Sequence, residues 1–148
     1  MADPTRVLFV STGGAARAIL AEALLRHVGG GAFEAVSAGT DPVPVDPLAL
    51  QVLGRAGIAT DDLESRWLHD VQGEFFDWVI TVCDDARSVC PVFPGADMSL
   101  HWGYPSPAGA VGSEDERRVA YERVFVQLGE RIRQFVLVVG RTAAAPVG

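Results

Sequence analysis

Cysteine and histidine are scarce in this 148-residue chain, and their scarcity limits its chemistry. Cys83 and Cys90 are the only cysteines, which is too few for a disulfide framework. We therefore expect them to be thiols in a reducing compartment. The three histidines are scattered without the spacing of a metal site, so we expect no metal or other cofactor.

The sequence also has no excess of positive charge and no long apolar run. A net charge of −7 argues against a nucleic-acid surface. Residues 1–6 lack the organisation of a signal peptide, and the apolar run at 7–10 is too short to span a membrane. We therefore expect a cytoplasmic protein without a membrane partner. No repeat or linker divides residues 1–148, so we expect one domain, with a disordered tail from about residue 140.

Short apolar runs and amphipathic patterns alternate along the chain. The apolar runs predict strands, at residues 7–10, 33–38, 78–82 and 96–101. The amphipathic patterns predict helices, at residues 16–27, 47–56 and 114–138. Asp46 is the predicted N-cap of the second helix, with Pro47 at its first helical position. Strands that alternate with helices indicate a parallel sheet covered on both faces.

A loop of small residues joins the first strand to the first helix. It begins at Ser11, ends at Arg17, and contains Thr12, Gly13, Gly14, Ala15 and Ala16 between them. Small residues let successive amides point inward, the helix adds its positive end, and an arginine can clamp two oxygens. The loop therefore predicts a site for a tetrahedral oxyanion such as arsenate, phosphate or sulfate. The residue types alone fit an ordinary strand-to-helix turn with a surface arginine equally well.

Segments along nearly the whole chain resemble one protein family. Residues 7–13, 33–40, 45–49 and 79–84 are similar to the low-molecular-weight protein tyrosine phosphatases. The segments Cys90-Pro91-Val92-Phe93-Pro94-Gly95 and Leu100-His101-Trp102-Gly103 resemble more closely the thioredoxin-coupled arsenate reductases built on the same fold. The resemblance implies a three-layer α/β/α domain with a four-stranded parallel sheet.

Four positions depart from the pattern of that family. Ser11 stands where the family has its cysteine nucleophile, and Ser106 where it has an aspartate general acid. Gly14 replaces an asparagine that braces the loop, and Ala18 replaces a serine that stabilises the thiolate. A serine hydroxyl has a far higher pKa than a thiol in such a loop, and arsenate reduction needs a sulfur there to form a disulfide. The joint departures favour an oxyanion-binding homologue that has lost its catalysis.

Two alternatives stay open. The chain is a genuine arsenate reductase or tyrosine phosphatase whose nucleophile has been replaced by Ser11, or it uses Ser11 for slow phosphoryl or ester chemistry. The resemblance also matches Cys83 and Cys90 with two redox cysteines of the arsenate reductases. Without a first cysteine their relay has no input, so we favour inert thiols, and thioredoxin is a partner only if they are redox-active.

Glu22 and Ser37 match positions that help to hold a potassium ion in some arsenate reductases. Gly14 lacks the family side chain for this, and the segment Ser65-Arg66-Trp67 does not clearly supply another ligand. We therefore expect Glu22 to pair locally rather than to bind a metal. His101, beside Trp102, is expected to support the loop that precedes Ser106.

Overall fold

The fold alternates strands and helices in the predicted order. The computed structural model describes residues 4–11, 17–39, 45, 47–60, 63, 66–71, 73–82, 96–102 and 112–144. The elements of these residues are β1 (Thr5–Ser11), α1 (Arg17–Gly29), a short 3-10 helix (Gly30–Ala32), β2 (Phe33–Gly39), α2 (Pro47–Arg55), α3 (Leu68–Val71), β3 (Phe76–Thr81), β4 (Ala96–His101) and α4 (Glu114–Ala144).

The four strands form one parallel sheet in the order β2-β1-β3-β4, which confirms the predicted fold class. β1 lies inside the sheet, and its residues 7–10 are buried, as their continuous apolar run predicts. Its last residue, Ser11, lies opposite Gly39 of β2, and Val10 lies opposite Thr81 of β3. The carboxyl ends of these three strands therefore meet at one edge.

Buried side chains cover both faces of the sheet. On one face, α1, α2 and α4 pack in a cluster that includes Phe9, Leu20, Leu53 and Leu128. On the other face, Leu68 and Val71 of α3 pack with residues such as Leu8, Val10, Val79 and Phe76. This is the layered arrangement that a parallel sheet requires, because each face must bury its apolar side chains.

Several boundaries differ from the predicted ones. α4 continues to Ala144, whereas the sequence predicted a helix to residue 138 and a disordered tail from about residue 140. Arginine and alanines, which favour helices, follow Gly140, and no proline lies between Gly140 and Pro146. α3 was not predicted, because a single turn is too short to show a helical period. α2 begins at Pro47 as predicted, while its N-cap, Asp46, lies outside the described residues.

We expect substitutions of two leucines of α4 to differ in their effect on stability, because one leucine is buried and the other is exposed. Leu128 is 0% exposed and Leu137 is 60% exposed. Leu128→Ala should lower the free energy of unfolding by about 2–5 kcal/mol, because it leaves a cavity between α4 and the rest of the core. Leu137→Ala, the matched control on the same helix, should change it by less than about 0.5 kcal/mol. Urea denaturation measures both, and equal losses would contradict this packing.

Candidate functional site

The two ends of the predicted oxyanion loop lie at the carboxyl edge of the sheet. Ser11 is the last residue of β1 and is 1% exposed, and Arg17 is the first residue of α1 and is 5% exposed. The loop residues between them, Thr12, Gly13, Gly14, Ala15 and Ala16, lie outside the described residues. Both ends are thus buried beside a helix N-terminus. An ordinary surface turn would leave the arginine exposed.

The start of α1 contributes positive charge at this edge. The first turn of a helix has backbone N–H groups without intrahelical partners, and its dipole places partial positive charge there. Arg17 adds a guanidinium group that keeps its charge when buried. An anion at the start of α1 would therefore interact favourably with both. Ser11 adds a hydroxyl at the end of the neighbouring strand, which is a donor or an acceptor but not a thiolate.

A buried carboxylate lies further along α1. Glu22 is fully buried, and the Ser37 hydroxyl donates a hydrogen bond of 2.6 Å to its Oε1. Arg26 Nη2 lies 2.6 Å from its Oε2, and Arg66 Nη1 lies 3.7 Å from its Oε1. The prediction that Glu22 pairs locally is confirmed. Two guanidinium groups already supply positive charge to this carboxylate, so the described residues around Glu22 do not fit a bound potassium ion.

Burial raises the pKa of the Glu22 carboxyl above its ordinary value of 4.5. The hydrogen bond from Ser37 and the charges of Arg26 and Arg66 oppose that rise without cancelling it. The contact with Arg26 lacks the geometry of a hydrogen bond, and both arginine side chains keep part of their exposure to solvent. Their attraction for the carboxylate is correspondingly screened. Ionised Glu22 is therefore costly to the fold.

This carboxylate cluster is joined to the strand end that carries Ser11. The N–H of Gly39, the residue opposite Ser11, donates to the carbonyl of Arg66 at 2.9 Å, and Trp67 forms a single parallel bridge with Gly39. Sequence reasoning missed the role of Arg66. The chain offers no local signal for it, because only the tertiary structure brings Arg66 to Glu22.

Other predicted site residues fall elsewhere. Cys83, Cys90 and Ser106 lie outside the described residues, so their roles stay predictions. His101 Nδ1 lies 2.7 Å from the Thr81 hydroxyl, across the β3–β4 pair. Trp102 is buried, with its ring centroid 6.2 Å from that of Phe9 and 5.9 Å from that of Phe135.

The described part of the chain has neither a membrane-spanning helix nor a cluster of metal-ligating side chains. None of its helices combines the length and apolarity needed to cross a membrane. Within the same residues, no group of three or more histidine, cysteine, aspartate or glutamate side chains could hold a metal ion.

Comparison with known proteins assigns the chain to a family. Residues 6–144 match the low molecular weight phosphotyrosine protein phosphatases. The chain belongs to this family. An arsenate reductase from Shouchella clausii is 33% identical over 129 residues, which cover 87% of this chain and 93% of that protein. The resemblance inferred from the sequence is therefore confirmed.

Solved structures of the family agree with the fold. An arsenate reductase from Archaeoglobus fulgidus is 31% identical, with a TM-score of 0.73 and coverage of 88% of this chain and 98% of that one. A thioredoxin-dependent arsenate reductase from Corynebacterium glutamicum is 28% identical, with a TM-score of 0.73. The match covers 96% of this chain but only 65% of the Corynebacterium chain. A tyrosine phosphatase from Erwinia amylovora, 20% identical with a TM-score of 0.71, shares the fold.

Glu22 should make stability depend on pH in a definite direction. Because its folded-state pKa lies above 4.5, the folded state binds more protons than the unfolded state between these two values. Its contribution to the free energy of unfolding is therefore fully present below the unfolded pKa and falls as pH rises through the folded pKa. Glu22→Gln cannot titrate, so the stability of the wild-type chain should fall relative to this variant as pH rises above about 4.5 and through the folded-state pKa. Parallel urea-denaturation profiles for the two proteins would contradict the assignment.

Proposed function

We propose that this protein binds a tetrahedral oxyanion, of the class arsenate, phosphate or sulfate, in the loop from Ser11 to Arg17 and does not turn it over. The observation that carries the proposal is the burial of Arg17 at the first residue of α1, beside the buried end of β1. A permanent cation at a helix N-terminus is a site that attracts an anion. The arsenate reductases among its relatives support the same ligand class.

The acidity of the chain does not oppose this proposal, because the local field decides binding. The nearest described carboxylate along α1 is Glu22, five residues after Arg17 and about 7.5 Å along the helix axis. An uncompensated charge at that distance would repel an anion by on the order of 2 kcal/mol at an effective dielectric constant of 20. Arg26 and Arg66 compensate that charge.

The absence of turnover follows from the residues at four positions. Ser11 offers a hydroxyl where the chemistry of the relatives requires a thiolate, and Ser106 offers no carboxylic acid to protonate a leaving group. Loss of a general acid alone costs about 10²- to 10⁴-fold in rate. Gly14 and Ala18 remove side chains that support the nucleophile. Thioredoxin, on which the Corynebacterium relative depends, would then act here only on a disulfide between Cys83 and Cys90.

Anion binding should appear as thermal stabilisation that depends on Arg17. Phosphate, arsenate or sulfate at millimolar concentration should raise Tm, since a ligand at about 100 times its Kd adds about 2.7 kcal/mol. Arg17→Ala should abolish the increase. Arg55→Ala, which removes an exposed arginine of α2 paired with Glu122, should retain it. Differential scanning fluorimetry gives the result, and the absence of any anion-dependent shift in the wild-type chain would sink the proposal.

Restoring the nucleophile should not by itself restore catalysis. We expect Ser11→Cys alone to lack thioredoxin-dependent arsenate reduction, and recovery to require Ser106→Asp and Gly14→Asn as well. Stopped assays that separate arsenite from arsenate measure this. Recovery by Ser11→Cys alone would show that only the nucleophile had been replaced. Hydrolysis of an aryl phosphate by the wild-type chain, abolished in Ser11→Ala, would instead show that Ser11 is a working nucleophile.

A further inference from the structure

The Glu22 cluster joins three separate parts of the chain at one point. Glu22 belongs to α1, Ser37 belongs to β2, and Arg66 precedes α3. The Glu22 carboxylate contacts the other two parts through Ser37 Oγ at 2.6 Å and Arg66 Nη1 at 3.7 Å. Arg26, one turn further along α1, forms an ion pair with the second carboxylate oxygen. A fully buried carboxylate with this set of contacts connects the elements around it.

The backbone of the same segment continues this connection to the candidate site. Arg66 accepts the Gly39 N–H on the outer edge of β2, and Trp67 forms its bridge to Gly39. Gly39 in turn lies opposite Ser11 on the inner edge of β2. One residue therefore stands between the arginine segment and the strand end that begins the oxyanion loop.

We propose that Glu22 and Arg66 are positioning residues, which hold the 66–67 segment against Gly39 and thereby fix the backbone at Ser11 for anion binding. The proposal rests on the proposed function for its ligand and goes beyond it in naming what shapes the site. Neither residue touches the anion. The guanidinium group of Arg66 supplies positive charge to the Glu22 carboxylate. We call the connected contacts of Glu22, Arg66 and Gly39 the junction, and it is made by the protein's own residues.

The charge of Glu22 allows an experiment to distinguish a positioning role from a purely electrostatic one. At a pH where Glu22 is ionised, its removal takes away a negative charge and should strengthen anion binding if charge alone mattered. If Glu22 instead holds the junction, its removal should weaken anion binding although a repulsive charge is gone. Glu22→Gln keeps the size of the side chain and an oxygen that can accept the Ser37 hydrogen bond, but it loses the attraction for Arg66.

The experiment measures phosphate affinity by calorimetry and the hydrogen exchange of the Gly39 amide by NMR. Glu22→Gln and Arg66→Gln should each weaken phosphate binding by about three- to tenfold and speed exchange at Gly39. Arg66→Lys should recover part of both, because it keeps the charge. Arg55→Gln is the matched control, since Arg55 Nη1 also lies 3.7 Å from a glutamate oxygen, of Glu122, away from β2. It should leave both readouts unchanged.

Each outcome has a fixed consequence. Glu22→Gln that binds phosphate as tightly as the wild-type chain, or more tightly, would overturn the positioning role, as would Gly39 exchange unchanged in both variants. If Glu22→Gln does not fold, the Gly39 exchange of Arg66→Gln decides instead, because loss of the Arg66 charge alone would also weaken phosphate binding. A wild-type chain that binds no phosphate would overturn the proposed function. The exchange of Gly39 would still test whether the junction exists.

Discussion

The burial of β1 within the sheet is the constraint on which the candidate site depends. β1 pairs with β2 on one side and with β3 on the other, and its residues 7–10 are closed to solvent on both faces. A strand held on every side has no freedom to slide, since a shift of one residue would turn its side chains to the wrong face. Its last residue, Ser11, is therefore delivered to a fixed point at the carboxyl edge. Arg17, six residues later in the sequence, begins α1.

The Glu22 carboxylate, which accepts a hydrogen bond from Ser37 of β2, is buried at a cost in stability. A buried carboxylate costs several kcal/mol of desolvation, and replacing such ion pairs with apolar groups is often neutral or stabilising. Glu22 is retained at this cost, and its pKa is raised by its burial. An apolar residue there would fill the same space, but it could not orient Ser37 and Arg66 at once. This loss of stability is explained if the protein requires a fixed geometry at the end of β2.

The sequence predicts the elements of this fold well and their connections poorly. Continuous apolar runs are sufficient to place β1 and β3 as buried strands, and the loop composition places Ser11 and Arg17 at the two ends of one loop. The strand order and the register that sets Ser11 opposite Gly39 follow from packing, on which local patterns carry no information. The pairing of Glu22 with Arg66 is of the same kind. Polar contacts between residues far apart in the sequence cannot be predicted from local patterns.

Binding an anion and reacting with it require different features of the chain, so under the proposed function binding persists where catalysis is lost. Holding needs a fixed strand end, helix amides and a cation, which the core maintains for reasons of stability. Reaction needs a low-pKa sulfur and groups that support it. Ala18 illustrates the consequence, because it is fully buried. A serine there would bury a hydroxyl, which costs about 1–3 kcal/mol unless it has a partner. Under the proposed function, position 11 holds no thiolate for such a hydroxyl to stabilise, so alanine avoids the cost of burying one. Under the proposed function, the loss at position 11 thus favours the loss at position 18, without disturbing the frame that binds the anion.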